Sequence, residues 1–135
     1  MDNSKKTKRK ILVTQALPYA NAPLHLGHIL EAVQTDIWAR FHNLNNNECL
    51  FFCADDTHGT PIMLKANEMG IKPEELIAEV YKDHESTYKL YDINFANFYS
   101  THSDENKKFS EYIYECAKNN NLISVSYTHL TLPTN

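Results

Sequence analysis

Short apolar runs alternate with helical patterns along this chain. The run ILVTQAL, residues 11–17, is nearly continuous and rich in β-branched residues, as in a strand that is buried on both faces. CLFFCA, residues 49–54, predicts a second strand, and FANFYST, residues 95–101, predicts a third. Helical patterns separate these runs, so we expect an α/β fold with a parallel sheet and right-handed crossovers.

Two helices are expected around the second strand. The first extends from Gly27 to about Leu44, where apolar residues recur at the spacing of an amphipathic helix. Its apolar positions are Leu30, Val33, Ile37, Phe41 and Leu44. Thr60 and Pro61 suit the N-cap and the first residue of a second helix, and Gly70 suits its end.

Two further helices complete the predicted order of elements. Pro73 opens a longer helix, and Ser103 can cap another whose first turn holds acidic residues against the helix dipole. The stripe of the longer helix is Leu76, Ile77, Val80, His84 and Tyr88, and the last helix carries Phe109, Tyr112, Ile113 and Cys116. We interpret His84 and His102 as ordinary structural or surface histidines.

Charge divides the chain at residue 10. Five of the 13 Lys and Arg residues lie in residues 1–10, which we expect to form a solvated basic tail. After this tail, eight Lys and Arg face 16 Asp and Glu, so residues 11–135 carry a net charge of about −8. A body this acidic lacks the broad basic surface that is typical of nucleic-acid-binding proteins.

Several broad classes of protein are disfavoured by the sequence. No apolar run approaches the roughly 20 residues of a membrane span, and no signal peptide is evident, so we expect no membrane association and a cytoplasmic location. Cys49, Cys53 and Cys116 form no CxxC pair and are best explained as small buried thiols. The final stretch is rich in Thr and Ser, and we hypothesise that residues 124–135 are a non-native tail.

Two unusual segments follow the first two strands, at the sheet edge where α/β proteins bind ligands. The first is PYANAPLHLGH, residues 18–28, and the second is ADDTHGTP, residues 54–61. His25 and His28 are three residues apart at the start of a helix, where unpaired N–H groups and the helix dipole favour phosphate. Gly27 lets a ligand approach the backbone, and two imidazoles there can stabilise charge on a phosphoryl group.

Simpler explanations apply to the same residues. Histidines near a helix start are often caps, and Asp55 with Asp56 could form no more than a turn. Metal binding by His25, His28 and Asp56 lacks any supporting motif such as HExxH, and we do not expect a metal site. A carboxylate on the same sheet edge as the histidines would instead suit a ligand ammonium group.

HLGH, residues 25–28, is a form of the HIGH signature of class I aminoacyl-tRNA synthetases. The longer stretches ILVTQALPYANAPLHLGHILEAVQTDIWARF, FFCADDTHGTPIMLKANEMGIKPEELI and FYSTHSDEN resemble the methionyl-tRNA synthetases, bacterial type, over residues 11–123. The resemblance implies the first half of a Rossmann-like catalytic domain. It also implies a methionine–tRNA ligase that uses ATP and Mg²⁺ to form methionyl-adenylate and then charges tRNA(Met).

The resemblance also assigns roles to individual residues. It implies that His25 and His28 contact the ATP phosphates and stabilise the reacting α-phosphate, and that Gly27 packs beneath the adenine. The ATP site would also include Tyr19 and Asn21. The methionine site would comprise Ala16, Leu17, Tyr19 and Asp56, with Asp56 binding the ammonium group. No side chain acts as a nucleophile, because the substrate carboxylate attacks phosphorus directly.

Other elements of the family are not found in this sequence. It contains no KMSKS loop, no zinc-bearing insertion, no second half of the sheet and no anticodon-binding domain, so we expect the chain alone to be inactive. Two alternatives stay open. One is another HIGH-motif nucleotidyl-transfer enzyme, such as a different class I synthetase or an adenylyltransferase. The other is a non-catalytic nucleotide-binding module, in which the histidines only cap a helix.

Overall fold

A computed structural model describes residues 8–125, which fall into two compact units divided between His102 and Ser103. The elements of the first unit are β1 (Lys10–Thr14), α1 (Leu26–Leu44), β2 (Glu48–Asp55), α2 (Thr60–Met69), α3 (Pro73–Leu90) and β3 (Asn97–Ser100). The described part of the second unit contains α4 (Asp104–Asn119). None of the helices in residues 8–125 has both the length and the apolar character needed to cross a bilayer.

The three strands form one parallel sheet in the order β1-β2-β3, which confirms the predicted α/β class. Leu12 of β1 pairs with Leu50, and Phe52 of β2 pairs with Asn97. The first strand is shorter than predicted because the chain leaves the ladder after Thr14. The Ala16 N–H then donates to Glu31 of α1 instead of to a neighbouring strand.

One face of the sheet is covered and the other is exposed. A core cluster joins α1, β2 and α3 over one face, where Cys49, Phe51 and Cys53 are buried. On the opposite face, Leu12 is 70% exposed and Leu50 is 42% exposed. The prediction that the first strand is buried on both faces is therefore wrong, because the helices that pack on the sheet within residues 8–102 cover only one side.

The buried face of α1 also differs from the predicted stripe. Its buried residues are Ile29, Ala32, Asp36 and Ala39, whereas Leu30, Ile37, Phe41 and Leu44 are exposed. Two alanines on the buried face allow the helix backbone to approach the sheet closely. Asp36 is tolerated there because its carboxylate accepts hydrogen bonds from Arg40 and from the Asn94 N–H.

The predicted helix ends are largely confirmed. Gly70 ends α2 in the left-handed conformation, with φ 68°, and the Ser103 hydroxyl accepts from the Asn106 N–H at 3.2 Å. All five stripe residues of α3 are buried, as predicted. The N-cap of α2 is Gly59 rather than Thr60, which is the first helical residue. The helix therefore starts one residue earlier than its sequence indicated.

Two of the three cysteines are buried, as expected. Cys49 and Cys53 lie on the covered face of β2, and burial raises the pKa of both thiols, that of Cys53 to about 12. Both are therefore protonated and unreactive at neutral pH. Cys116 of α4 is only half-buried, in a helix with no fully buried residue, so the same explanation does not extend to it.

Candidate active site

The loop of residues 15–25 between β1 and α1 lies against the segment that follows β2. Tyr19 forms a parallel bridge with Asp56. The Ala20 N–H donates to the Asp56 carbonyl and the Asp56 N–H donates to the Pro18 carbonyl, both at 2.8 Å. The loop therefore extends the sheet pairing past the end of β1, and it brings together two predicted site residues at the carboxyl edge.

His25 and His28 form a stacked pair at the start of α1. Their ring centroids are 3.7 Å apart and the rings are tilted by 17°. His25 is the N-cap, its Nδ1 accepts from the Gly27 N–H at 3.1 Å, and the Nδ1 of His28 accepts from the His25 N–H at 3.3 Å. The two histidines therefore do cap α1, as the alternative interpretation expected. Capping does not prevent phosphate binding, because a neutral ring that accepts at Nδ1 carries its proton on Nε2, where it can donate to a ligand.

His28 is neutral at neutral pH. Burial lowers the pKa of His28 below its ordinary value of 6.5, and the proximity of the His25 and His84 rings lowers it further, with Glu31 opposing them. His28 is half-buried, while His25 is exposed. At neutral pH the His28 ring therefore offers an Nε2–H donor at the positive end of α1, without its own positive charge.

Gly27 has a local structural reason to be glycine. A Cβ at this position would lie 2.9 Å from Cε1 and 3.0 Å from Nδ1 of His25. The missing side chain therefore allows the His25 ring to fold back over the first turn and cap it. The sequence predicted that the absence of a side chain at Gly27 leaves space for a ligand. The same absence makes room for the His25 ring that caps the helix.

The two adjacent aspartates at the end of β2 have different environments. Asp55 is fully buried, and its Oδ1 lies 2.7 Å from Nδ1 of His84, which is fully buried as well. Asp56 is only half-buried and lies beside Tyr19. The interpretation of His84 as an ordinary histidine missed this pair. No local motif marks it, because the two residues are 29 positions apart.

The other predicted binding residues lie along the same loop. Ala16 and Leu17 are exposed at the end of β1. The Asn21 carbonyl accepts from the Lys65 ammonium at 2.6 Å, which attaches the loop to α2. The predicted residues thus share one edge of the sheet, although Ala16 and Leu17 precede the Tyr19–Asp56 bridge.

The end of β3 adds residues that the sequence interpretation did not include. The Thr57 N–H donates to the Thr101 hydroxyl at 3.0 Å, and the two hydroxyl oxygens are 2.9 Å apart. The rings of His58 and His102 lie 5.6 Å apart. A sequence signal did exist, since a Thr-His pair follows β2 and another follows β3.

Gly59 supports the ring of Tyr19. Its φ of 135° is one that side chains rarely adopt, and a Cβ there would lie 2.6 Å from the Tyr19 hydroxyl oxygen. We expect Gly59→Ala to lower the free energy of unfolding by about 1–3 kcal/mol through strain and steric conflict. Urea denaturation measures this loss.

The double variant with Tyr19→Phe separates the two causes. Removing the hydroxyl leaves the nearest Tyr19 ring atom, Cζ, 3.6 Å from the added methyl, so only the backbone strain persists. Gly59→Ala should therefore be less destabilising when it is combined with Tyr19→Phe than in the wild type. If Gly59→Ala lowers the free energy of unfolding equally in the wild type and in Tyr19→Phe, the Tyr19 hydroxyl does not lie against Gly59.

A family model described as tRNA synthetases class I (M) matches residues 11–132 of this chain. The chain belongs to the class I tRNA synthetases. In this synthetase the HLGH segment, residues 25–28, contains the stacked pair, and its assignment to the HIGH signature stays a prediction. The match includes residues 124–132. The hypothesis of a non-native tail stays a prediction, since most of residues 124–135 lie outside the described part of the chain.

Solved structures of other synthetases share the fold. Two structures of Mycobacterium tuberculosis methionyl-tRNA synthetase with methionyl-adenylate match with a TM-score of 0.80 and 25% identity, covering 82% of this chain and 22% of theirs. The Agrobacterium radiobacter K84 agnB2 LeuRS, in a ternary complex with tRNA and LeuAMS, matches with a TM-score of 0.78 and 19% identity, covering 87% and 15%. The three-stranded sheet of this synthetase is thus part of a Rossmann-like catalytic domain, and the chain spans about a fifth of these relatives or less.

Proposed function

We propose that this synthetase chain is part of a methionine–tRNA ligase of the cytoplasm. The whole enzyme would activate methionine with ATP to methionyl-adenylate and transfer it to tRNA(Met), and residues 11–123 would belong to its catalytic domain. The observation that carries the proposal is the shared sheet edge, where the Tyr19–Asp56 bridge and the stacked His25–His28 pair both lie. The (M) in the family description and the methionyl-tRNA synthetase structures at 25% identity support the choice of amino acid.

The histidine pair provides the phosphate chemistry in this proposal. The Nε2–H groups of His25 and His28, together with the amino end of α1, would contact the ATP phosphates and stabilise charge at the α-phosphate. Gly27, Asn21 and Tyr19 would contact the adenosine part. The methionine carboxylate attacks the α-phosphorus, the bond to the β-phosphate bridging oxygen breaks, and pyrophosphate leaves. Mg²⁺ accompanies ATP as part of the substrate, bound through phosphate oxygens.

The aspartate and the loop provide the amino-acid site. Asp56 would accept hydrogen bonds from the methionine ammonium group, and its half-buried position would strengthen that charge pairing relative to bulk water. Ala16, Leu17 and Tyr19 would contact the thioether side chain. Since Tyr19 pairs with Asp56 through the backbone, one loop segment would contact both ends of the amino acid.

Binding of a non-hydrolysable methionyl-adenylate analogue tests this function. We expect calorimetry to detect binding to the chain, and Asp56→Asn and His28→Gln each to weaken it by about tenfold or more, because each removes a charge-assisted or phosphate contact. Asp92→Asn is the matched control, since Asp92 is exposed and lies in the turn after the carboxyl end of α3. It should leave the affinity unchanged.

The same titration decides between the alternatives. The LeuRS fold is also similar, so the leucyl-adenylate analogue is the direct competitor. Equal or tighter binding of the leucyl form would contradict methionine specificity. Binding of ATP alone, insensitive to Asp56→Asn, would favour a nucleotide-binding module without an amino-acid site. No binding of either analogue would contradict the proposed function for this chain.

A further inference from the structure

His84 connects two segments of the candidate site from the centre of α3. It is fully buried, and both ring nitrogens have partners on other elements. Nδ1 lies 2.7 Å from Oδ1 of Asp55 at the end of β2, and Nε2 lies 2.8 Å from the Ala22 carbonyl in the 15–25 loop. One side chain therefore joins the loop that leads to His25 with the strand end that precedes Asp56.

The partners of the ring determine its protonation. A backbone carbonyl only accepts hydrogen bonds, so Nε2 of His84 carries a proton. An Nδ1–H that donates to the Asp55 carboxylate makes the ring an imidazolium. The second carboxylate oxygen of Asp55 is buried without a hydrogen-bond partner among the described residues, so the positive ring is the charge that balances this carboxylate. His84 and Asp55 thus form a buried ion pair directly behind the site.

The electrostatic surroundings agree with this assignment. Burial has the largest single effect and lowers the pKa of His84, but the hydrogen bonds to Asp55 and to the Ala22 carbonyl and the charges of Asp55 and Asp83 together outweigh it, and the pKa is raised above 6.5. The charged groups that act on the ring are Asp55 from β2, His28 from α1 and Asp83 on α3 itself. The two carboxylates favour the charged ring, and the neighbouring His28 is kept neutral.

We propose that His84 is a positioning residue: by bonding Ala22 and Asp55 simultaneously, it holds Tyr19 of the loop against Asp56. The Ala22 carbonyl lies three residues after Tyr19 and three before His25, so its attachment limits the movement of the segment between the bridge and the cap. Asp55 is the residue next to Asp56. The consequence for methionine binding rests on the proposed function, whereas the attachment itself does not.

Two conservative variants remove one bond each. The side-chain amide of His84→Asn can occupy the place of Nδ1 and still donate to Asp55, but it cannot reach Ala22. The amide of His84→Gln can occupy the place of Nε2 and still donate to Ala22, but it loses Asp55. His42→Asn is the matched control, because His42 lies in the last turn of α1, at the other end of that helix from His25 and His28.

Amide hydrogen exchange measures the attachment directly. The reporters are the Ala20 N–H, bonded to the Asp56 carbonyl, and the Asp56 N–H, bonded to the Pro18 carbonyl. We expect both to exchange about tenfold faster in His84→Asn and in His84→Gln, because the loop opens locally without global unfolding. The Ala96 N–H, bonded to the Phe51 carbonyl, should keep its rate, and His42→Asn should change none of the three.

The outcomes separate positioning from a purely structural role. If hydrogen exchange becomes equally faster at the Ala96 and Ala20 amides, His84 only stabilises the core. If the exchange rates of the Ala20 and Asp56 amides do not change, His84 does not hold the 15–25 loop in place. Either result overturns the proposal. The absence of an Nε2–H signal from the His84 ring in the ¹⁵N spectrum at neutral pH would also overturn it, since the Ala22 carbonyl can only accept a hydrogen bond.

The methionyl-adenylate analogue then tests the functional consequence. We expect its affinity to fall about tenfold in His84→Asn and to be unchanged in His42→Asn. If the wild-type chain does not bind the analogue, the proposed function fails, while the exchange rates still decide whether His84 holds the loop. If the exchange rates change as expected but the affinity does not, the positioning of Tyr19 against Asp56 is supported and its consequence for methionine binding is overturned.

Discussion

Asp55→Ala is expected to lower the free energy of unfolding by about 3–5 kcal/mol, because it leaves the buried His84 imidazolium without its counter-charge. Such a loss is a large part of the roughly 5–15 kcal/mol that stabilises a typical domain. Asp56→Ala is the matched control, since Asp56 is adjacent and only half-buried, and its loss should stay within about 1 kcal/mol. Urea denaturation of the three proteins provides the comparison.

Asp55→Asn keeps the experiment decisive if the alanine variant does not fold. Its amide can donate to Nδ1 of a neutral His84, while the Nε2–H of that ring still donates to the Ala22 carbonyl. The loss should therefore be clearly smaller than for alanine, at about 1 kcal/mol. If Asp55→Ala, Asp55→Asn and Asp56→Ala all lower the free energy of unfolding by the same amount, the buried ion pair contributes nothing to stability.

The sign of the pH dependence follows from the direction of the pKa shift. The pKa of His84 is raised above 6.5 in the folded chain, so its stabilisation is fully present below the unfolded value and is lost as pH rises through the folded value. The difference in stability between wild type and Asp55→Ala should thus be largest below the unfolded value of 6.5 and should decrease as the pH rises above it. A difference that grows with pH over this range would contradict a charged His84.

The α/β class and the ends of several helices could be predicted because their signals are local. Gly70 can adopt the left-handed conformation that ends α2, and Ser103 has the hydroxyl that caps α4. The site segments were also predictable, because the residues that follow parallel strands share one edge. His25 and His28 are three apart in sequence and stack as neighbours in one helical turn.

The remaining features depend on tertiary packing that periodicity does not encode. α1 has large apolar residues such as Ile37 on one side and Ala32 and Ala39 on another, and the sheet packs against the alanines. A pattern of hydrophobic residues identifies the larger stripe and cannot indicate which face approaches the sheet. His84 lay within a correctly predicted buried stripe, but its partner Asp55 is on another element, so its role was invisible.

The one-sided sheet gives a second large expected effect, on two adjacent residues of β2. Phe51 is 2% exposed and its ring lies 4.6 Å from that of Phe95, whereas Leu50 is 42% exposed on the opposite face. We expect Phe51→Ala to cost about 3–5 kcal/mol, since it leaves a cavity between the sheet and the helices. Leu50→Ala should cost less than about 1 kcal/mol, because it opens no cavity.

Urea denaturation of both variants measures how differently the two faces are packed. Phe51→Leu, which fills part of the space, keeps the comparison measurable if the alanine variant does not fold. The neighbours in the ladder, Val13 beside Phe51 and Leu12 beside Leu50, repeat the same difference on β1. Leu12→Ala should therefore behave like Leu50→Ala. A loss of more than about 2 kcal/mol for either exposed leucine would mean that this face is packed against other atoms in solution.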